Sequence, residues 1–478
     1  MTRSRLAVVA AIVAGVGLLG WWRAGGRSGT PPFTPAPVPA TRPRSVVLIT
    51  VDTLRPDHLS LYGYERATSP HIDAFARAAM TYDDAYATAT FTSPSIVSLL
   101  TGVYPAVHGV RFLFQPLADG AWTLPRHLHA HGWRTGAVVS NFVLTAAASG
   151  LAAQFDEYDD AVVEEEVQRK KVMQRRADAT TDAAIDWLDR HVGGPFFLWV
   201  HYIDPHGPYA APAPFDARFH GTPGRHVKEA KIPAYQRIRH IADLGYYVDQ
   251  YDGEIAYMDE HVGRLLAHAA DLGCLADTMV VFTADHGESL TERHGGRSVY
   301  FDHGHHVWEE MARVPLVVYR AGGATGRSSE MVSLADIVPT VLVTLGVPPP
   351  DTPLDGVPLG SDHHPGVIVE AAQKPLRAVR QGPWKLVATV DTTPAKRIES
   401  ATLIDLSHDR RERTQRPADH DGAAAPLLAE LARHLARDTQ DLDALKWDAE
   451  VARLKARAPH DPALRARLDR LRALGYVR

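Results

Sequence analysis

The chain has 478 residues, 45% of them hydrophobic, and carries a formal net charge of −5. This length predicts either one large domain with additions or two to three domains. The acidic balance excludes a protein that binds nucleic acid through a strongly basic face. The single cysteine, Cys274, excludes an intrachain disulfide framework and a cysteine-based metal cage. The 25 histidines are more informative, because several of them stand beside Asp and Gly.

The N-terminal segment differs from the rest of the chain. Two arginines precede an uncharged run from Leu6 to Trp22, which is long for a signal peptide and just long enough for a short membrane span. Residues 1–24 are therefore predicted to be a signal anchor. The alternatives are a cleaved signal peptide and a buried helix of a cytosolic protein. Residues 25–44 are predicted to be a Pro-rich linker. We expect a cell-envelope protein, either anchored in the inner membrane and facing the periplasm or secreted.

Three runs of β-branched or aromatic residues in the body are predicted to be buried parallel strands. Acids and histidines follow each run. Asp52 ends "SVVLITVD" (45–52), His201, Asp204 and His206 lie in "PFFLWVHYIDPHGPY" (195–209), and Asp285 and His286 lie in "TMVVFTADHG" (278–287). Ligands bind beyond the carboxyl ends of parallel strands in such sheets. These side chains are therefore expected to meet at one edge.

Helical segments alternate with these strands. The apolar spacing predicts helices over 69–79, 177–192 and 248–273. This alternation predicts an α/β sandwich around a large, mostly parallel central sheet within a catalytic domain at 45–350. Short strands then predict a small antiparallel C-terminal subdomain at 351–422. The Ala-, Leu- and Arg-rich remainder, 423–478, is predicted to be a helical tail.

The strand-end residues favour binding of a divalent cation. Asp combined with His suits an ion such as Zn or Mn, whereas Asp with few histidines suits Ca or Mg. Taken singly, each residue has an ordinary alternative, because a strand-end acid often caps a helix and a lone histidine often lies on the surface. The predicted sets are Asp52, Asp285 and His286 for one ion, and Asp204, His206 and His303 for a second ion or for substrate oxygens.

The segment "TSPSIVSLL" that begins at Thr92 is predicted to start a helix, with Pro94 in its first turn. Thr92 or Ser93 could simply cap this helix. A hydroxyl at a helix N-terminus also faces backbone N–H groups that favour an anionic ester. A divalent ion bound to the Thr92 oxygen would lower its pKa and make the side chain a nucleophile.

Many blocks of the sequence, in their order along the chain, resemble the sulfatase family of the alkaline phosphatase superfamily. The resemblance covers roughly residues 45–410 and the tail. The blocks are "VVLITVDTLRPDHLSLYGY", "TSPHIDAFARAAMTYDDAYA", "TSPSIVSLLTGVYPAVHGV", "FFLWVHYIDPHGPY", "YDGEIAYMDEHVGRLL", "VVFTADHGESL", "HGHHVWEEMARVPLVVY", "SLADIVPTVLVTLGVP", "AVRQGPWKLV", "LIDLSHD" and "LRALGYV". It implies an alkaline-phosphatase-like sandwich that carries a metal-dependent hydrolase site with one nucleophile at a helix N-terminus.

The resemblance also implies roles for individual residues. Asp52 matches the first of the family's tandem metal-binding acids, and Thr53 stands where the second acid often is. The other implied roles are metal binding for Asp285, His286 and Thr92, catalysis for Thr92, His206 and His303, and substrate binding for His201, Asp204 and Asn141. The implied cofactor is a divalent ion, Zn, Mn or Ca, with one ion expected and a second one possible. Substrate specificity is expected to reside in the segment 211–245.

One departure from the family pattern concerns the mechanism. Typical sulfatases read Cys-x-Pro-x-Arg where this chain has Thr92, Pro94 and Ile96. Oxidation of a threonine would give a ketone and not the family's formylglycine aldehyde, so the formylglycine mechanism is not expected here. Threonine is the nucleophile in phosphodiesterases and phospho-transferases of the same superfamily, so phosphate esters are favoured over sulfate esters.

Three functions therefore remain open. The first is a hydrolase acting on small-molecule, glycan or lipid esters, and the second is a phospho-group transferase acting on envelope lipid or glycan. Both are compatible with membrane attachment through the N-terminal segment. The third is a non-catalytic protein that retains the fold.

Overall fold

The computed structural model describes residues 42–165, 173–238, 240–292, 294, 298–361, 366–391, 393, 395–419, 421–440 and 447–473. All of them belong to one of the chain's two compact units, Pro35–Arg478. The predicted anchor at 1–24 and nearly all of the predicted linker lie outside the described residues. Within those residues, no helix combines the length and the apolar character that crossing a membrane requires.

The main sheet has eight strands in the order β10-β2-β9-β8-β1-β7-β3-β4. All neighbours are parallel except β9, which runs antiparallel to both β2 and β8. The strands are β1 (Ser45–Val51), β2 (Met80–Tyr86), β3 (Arg134–Val139), β4 (Glu157–Asp159), β7 (Phe196–Tyr202), β8 (Thr278–Ala284), β9 (Arg313–Tyr319) and β10 (Gly326–Ser333); a separate ribbon joins β5 (Glu164–Glu165) to β6 (Met173–Gln174).

The three strands predicted from the sequence form the centre of this sheet, with β1 between β7 and β8. Every residue of these strands is buried. Strands covered on both faces need continuous apolar runs, which explains why their sequences lack a polar alternation. Register places Val51 opposite both Tyr202 and Ala284, so the three strands end side by side.

Helices connect these strands and pack around the sheet. The predicted helix at 248–273 begins earlier, because the Asp243 side chain accepts a hydrogen bond from the Gly245 N–H and caps the first turn. The helices are α1 (Pro70–Ala76), α2 (Thr92–Thr101), α3 (Pro105–His108), α4 (Leu124–Ala130), α5 (Ala146–Ser149), α6 (Ala177–His191), α7 (Leu244–Asp271), α8 (Glu309–Ala312), α9 (Ile337–Leu345), α10 (Ala424–Arg437), α11 (Trp447–Arg457) and α12 (Pro462–Ala473).

A second, antiparallel sheet follows in the order β11 (Val367–Glu370), β12 (Leu376–Gln381), β13 (Trp384–Val390), β14 (Ile398–Asp405) and β15 (Arg416–Pro417). Helix α10 buries Leu427 and Leu431 in one core with Leu386 and Leu403 of this sheet. The start of the segment predicted as a tail therefore shares a core with the sheet before it. The predicted fold class, a large mostly parallel sheet with a small antiparallel one, is confirmed.

Candidate active site

Three side chains meet at the carboxyl edge of the central strands: Asp52, His201 and Asp285. Each is 0% exposed, and one potential ligand atom from each lies within 4.8 Å of the others. The register explains this meeting, because Asp52 and Asp285 directly follow the paired residues at the ends of β1 and β8. His201 faces Thr50 across the β1–β7 pair. His201 was predicted to bind substrate, but its position favours a place among the metal ligands.

His286 borders this cluster with its Nε2 atom. That atom lies 3.8 Å from Asp52 Oδ1 and 3.6 Å from Asp285 Oδ2. The other ring nitrogen, Nδ1, donates to the Gly287 carbonyl at 2.8 Å. A carbonyl only accepts, so the neutral ring carries its hydrogen on Nδ1 and its lone pair on Nε2. This tautomer is the one that a metal-binding imidazole needs.

Thr92 is the first residue of α2, and its Oγ1 lies 3.2 Å from His286 Nε2. The N-cap position belongs to Phe91, and no side chain caps the helix. The alternative prediction that Thr92 or Ser93 caps α2 is therefore wrong. Instead, Ser95 donates its hydroxyl hydrogen to the Asp285 carbonyl at 2.6 Å. This bond ties the first turn of the helix to the end of β8.

The two carboxyls of the cluster have opposite pKa shifts. Burial raises the pKa of Asp285 well above its ordinary value, and repulsion from Asp52 adds to the effect. Burial acts in the same direction on Asp52, but His206, His201 and His286 outweigh it, so the pKa of Asp52 falls below its ordinary value. Two carboxyls this close do not ionise independently. Without a cation, the pair is expected to retain one proton.

Several buried atoms of the cluster lack a hydrogen-bond partner among the described residues. They are Asp52 Oδ1, His201 Nε2, Asp285 Oδ2 and the neighbouring Thr53 Oγ1. Burial of an unpaired polar atom costs about 1–3 kcal/mol, and more for a charged group. A divalent cation would pair with the two carboxylates and the imidazole, which are ordinary ligands for Zn or Mn. The residues present therefore fit a metal site. Within the described residues this is the one group of three or more His, Cys, Asp or Glu side chains placed to hold a metal ion. The second metal-binding group predicted from Asp204, His206 and His303 is not formed.

Asn141 and Asp204 occupy two different settings. Asn141 donates from Nδ2 to Asp52 Oδ2 at 2.6 Å, which orients that carboxylate. Asn141 was predicted to bind substrate, but this bond makes it a partner of Asp52, one of the candidate metal ligands.

The side chain of Asp204 is 4% exposed. Burial raises the pKa of Asp204 to about 6, although Arg176 opposes the shift.

His206 and His303 lie together beside His286. The ring centroids of His303 and His286 are 4.6 Å apart, and those of His303 and His206 are 5.4 Å apart. His206 Nδ1 donates to the Gly207 carbonyl at 2.8 Å. Burial disfavours a charged His303, but Glu288 outweighs burial and raises the pKa of His303. The two predicted catalytic histidines therefore join the cluster and Thr92 in one site.

Two residues near this site were not predicted from the sequence, and a third has an unexpected backbone conformation. Glu288 pairs with His303 Nδ1 at 3.1 Å, and Tyr235 stacks on His206 with a centroid separation of 6.3 Å. Thr53 has a φ of 55°, which is unusual for a β-branched residue. Glu288 stands in the quoted block "VVFTADHGESL", and Tyr235 lies in the segment expected to set specificity. Thr53 was noted in the sequence as standing where the family's second acid often is, but its backbone conformation was not predicted.

The eight-stranded, mostly parallel sheet with acids and histidines at its carboxyl edge defines an α/β protein of alkaline-phosphatase-like architecture. A family model described as Sulfatase matches residues 44–347. The chain therefore belongs to the sulfatase family, as predicted.

Two relatives and one solved structure illustrate the likeness. Choline-sulfatase of Rhizobium meliloti (strain 1021) is 29% identical over 290 residues, which cover 55% of this chain and 54% of that protein. Human N-sulphoglucosamine sulphohydrolase is 28% identical over 341 residues, 66% of this chain and 63% of that protein. The chain thus matches about half to two thirds of the length of these relatives. The phosphonate monoester hydrolase of Agrobacterium radiobacter superposes with a TM-score of 0.64 at 22% identity, over 84% of this chain and 96% of that one, which shows a shared fold.

Proposed function

We propose that the chain is a metal-dependent hydrolase of phosphoric esters that uses Thr92 as its nucleophile. The observation that carries this proposal is the position of Thr92 Oγ1, at a helix start and 3.2 Å from His286 Nε2. The same His286 atom lies 3.8 Å from Asp52 Oδ1 and 3.6 Å from Asp285 Oδ2, two residues of the Asp52–His201–Asp285 cluster. The names of the relatives point to small-molecule and glycan esters, so the proposed substrate is an ester of one of these kinds.

The pKa of His286 distinguishes between two roles for this residue, general base and metal ligand. Burial and the neighbouring His303 lower the pKa of His286 to about 3. Such an imidazole is a poor general base near neutral pH, because proton transfer to it is strongly uphill. Its lone pair on Nε2 suits a metal ligand instead. A divalent ion bound at this cluster supplies the positive charge that lowers the pKa of the Thr92 hydroxyl.

The remaining residues define the proposed reaction. The Thr92 hydroxyl releases its proton to solvent, and Oγ1 attacks phosphorus. The bond to the leaving oxygen breaks, and His303 donates a proton to that oxygen. His206, beside His303, donates from Nε2 to a non-bridging oxygen of the phosphoryl group. This requires the doubly protonated ring, because Nδ1 already donates to the Gly207 carbonyl. Water then attacks phosphorus and gives a proton back to His303, and the bond between phosphorus and Thr92 Oγ1 breaks. Phosphate leaves, and Oγ1 takes up a proton from solvent to restore the hydroxyl. Phosphate is preferred to sulfate because Thr92 cannot supply the formylglycine aldehyde.

The test uses the full chain in detergent with Mn²⁺ or Zn²⁺ and 4-nitrophenyl phosphate, phosphodiester, phosphonate and sulfate. We expect turnover of the phosphorus esters, a loss of about 100-fold or more in Thr92→Val, and retention in Thr92→Ser. Valine matches the shape of threonine without the oxygen, so it separates chemistry from packing. Turnover that persists in Thr92→Val would remove threonine as the nucleophile. Turnover of sulfate alone would overturn the preference for phosphorus.

The proposed location is the cell envelope. It rests on the uncharged segment Leu6–Trp22 and the Pro-rich linker after it. Fractionation of cells that express the full chain, with alkaline carbonate extraction, tests this proposal. An integral anchor would stay in the membrane pellet, a cleaved signal would give a shorter protein in the soluble envelope fraction, and a cytosolic protein would contradict the proposal.

A further inference from the structure

Glu288 is a buried acid to which the proposed reaction gives no role. It is 0% exposed, and both of its carboxylate oxygens are bonded. Oε1 accepts from His303 Nδ1 at 3.1 Å, and Oε2 accepts from the Tyr209 hydroxyl at 3.1 Å and from the Gln236 amide at 3.2 Å. Within the described residues, its ion-pair partner is His303. Glu288 is therefore held in place on one side and bonded to His303 on the other.

The backbone that carries His303 is also fixed. Phe301 has a φ of 52°, an outlier for a bulky residue, and such strain persists only where the surroundings enforce it. The Phe301 ring stacks on Tyr247 with a centroid separation of 4.6 Å. Asp302 Oδ1 accepts from the His303 N–H at 3.0 Å and from the Tyr235 hydroxyl at 2.8 Å. With the backbone held, the remaining freedom of His303 is its ring orientation and its tautomer.

We propose that Glu288 is a positioning residue that fixes the orientation and tautomer of His303. A carboxylate accepts hydrogen bonds, so His303 donates from Nδ1, and Nε2 on the opposite side of the ring stays available to the substrate. The His303 ring contacts the rings of His286 and His206, which places Nε2 in the same site as Thr92. Buried carboxylates that orient a catalytic imidazole act in this way in other enzymes. The inference deepens the proposed function and rests on it.

The kinetic test compares two phosphorus esters that differ in their leaving group, 4-nitrophenolate and an alkoxide. Glu288→Gln keeps the shape of the side chain but removes its charge. We expect kcat to fall about 10- to 100-fold with the poor leaving group, to fall only a few-fold with 4-nitrophenolate, and KM to stay unchanged. The same substitution in a His303→Ala background should cause no further loss, because the residue that it positions is absent.

The matched control is Tyr209→Phe, which removes another hydrogen bond to Glu288 without touching His303. It should lose less than about 3-fold with either ester, since one neutral hydrogen bond contributes little. The ¹⁵N NMR signals of the histidine rings give a readout independent of turnover. We expect the His303 signals, assigned with His303→Ala, to report hydrogen on Nδ1 in the wild type and a changed pattern in Glu288→Gln. If Glu288→Gln does not fold, Glu288→Asp, which withdraws the carboxylate by one methylene, replaces it.

Equal losses with both leaving groups, additive losses in the double variant, or an unchanged His303 tautomer would each overturn the inference. A wild type that hydrolyses none of the esters would instead remove the proposed function. In that case the NMR comparison still decides whether Glu288 fixes the tautomer of His303.

Discussion

Asp285→Asn should make the metal-free protein more stable than the metal-free wild type, and the metal-bound protein less stable than the metal-bound wild type. In the absence of a cation, Asp52 and Asp285 bring two buried carboxyls together, with ligand atoms within 4.8 Å. Asparagine at position 285 is uncharged, so it removes both the repulsion between two ionised carboxylates and the need for the pair to retain a proton. Its side-chain oxygen can still accept the hydrogen bonds that Asp285 Oδ1 receives from the N–H groups of Thr53 and His286. The substitution therefore changes charge far more than it changes hydrogen bonding.

The size and the pH dependence of the gain follow from the geometry. Two unit charges 4.8 Å apart repel each other by about 3 kcal/mol at an effective dielectric constant of about 20. Because 4.8 Å is the largest separation of these atoms, the gain should be at least about 3 kcal/mol at a pH where both carboxyls ionise in the wild type. Because the folded-state pKa of Asp285 is raised, the protonated carboxyl stabilises the fold below about pH 4, and this stability is lost as the pH rises towards the folded-state pKa. Asp52, whose pKa is lowered, loses its contribution only below about pH 4.

Urea unfolding followed by tryptophan fluorescence tests this prediction at pH 4.5 and pH 8, with EDTA or with Mn²⁺. With EDTA, Asp285→Asn should gain more at pH 8 than at pH 4.5. At 100 times its dissociation constant, Mn²⁺ should stabilise the wild type by about 2.7 kcal/mol, and Asp285→Asn should lose most of this gain. Asp259→Asn is the control, because burial raises the pKa of Asp259 as well, yet its carboxylate bonds the N–H groups of His71 and Ile72. An equal Mn²⁺ response in Asp285→Asn and the wild type would refute the metal site.

Two further substitutions test the support of the site and the second core. Asn141→Ala removes the bond to Asp52 Oδ2, so isothermal titration should show Mn²⁺ affinity about 10- to 100-fold weaker; unchanged affinity would mean that Asn141 does not orient the ligand. Lys385→Met should destabilise the chain by about 3–5 kcal/mol in urea, because Lys385 is 0% exposed and its Nζ lies 3.0 Å from Glu309 and 2.8 Å from Glu412. Replacing Lys385 and Glu412 together by Met and Gln should restore part of that loss, and a loss below about 1 kcal/mol in the single variant would contradict the paired burial.

The sequence predicted the centre of the fold because its strands are long apolar runs with acids at their ends. Once β1 pairs in parallel with β8, Asp52 and Asp285 must lie side by side. The same reasoning placed His201 at this edge but predicted that it binds substrate and did not include it in the metal cluster. His201 lies inside β7 and not beyond it. Residues inside a strand alternate between the two faces, and the sequence alone does not show which face turns towards the cluster. The structure shows that His201 pairs with Thr50 and that His201 Nε2 lies 3.7 Å from Asp52 Oδ2.

Glu288 was missed for a different reason. Its partner His303 lies on a separate loop, and the backbone conformation that brings the two together includes a strained Phe301. Composition and periodicity predict favourable local conformations, so a strained turn that the tertiary structure enforces is not visible to them. Contacts between separate loops are therefore the part of this site that the sequence alone could not predict.

The antiparallel sheet contacts the segments that carry the candidate site as well as adding a second core. The Glu370 N–H donates to the Thr88 carbonyl at 2.9 Å, and the Thr90 N–H donates to the Glu370 carbonyl at 3.1 Å. The end of β11 thereby holds the segment that leads into Thr92. The Gln373 N–H also donates to the Gly304 carbonyl at 3.0 Å, next to His303. The short stretch 370–373 thus contacts both the segment that leads into Thr92 and the loop that carries His303. The part of the chain after residue 350 therefore helps to hold the candidate site in place.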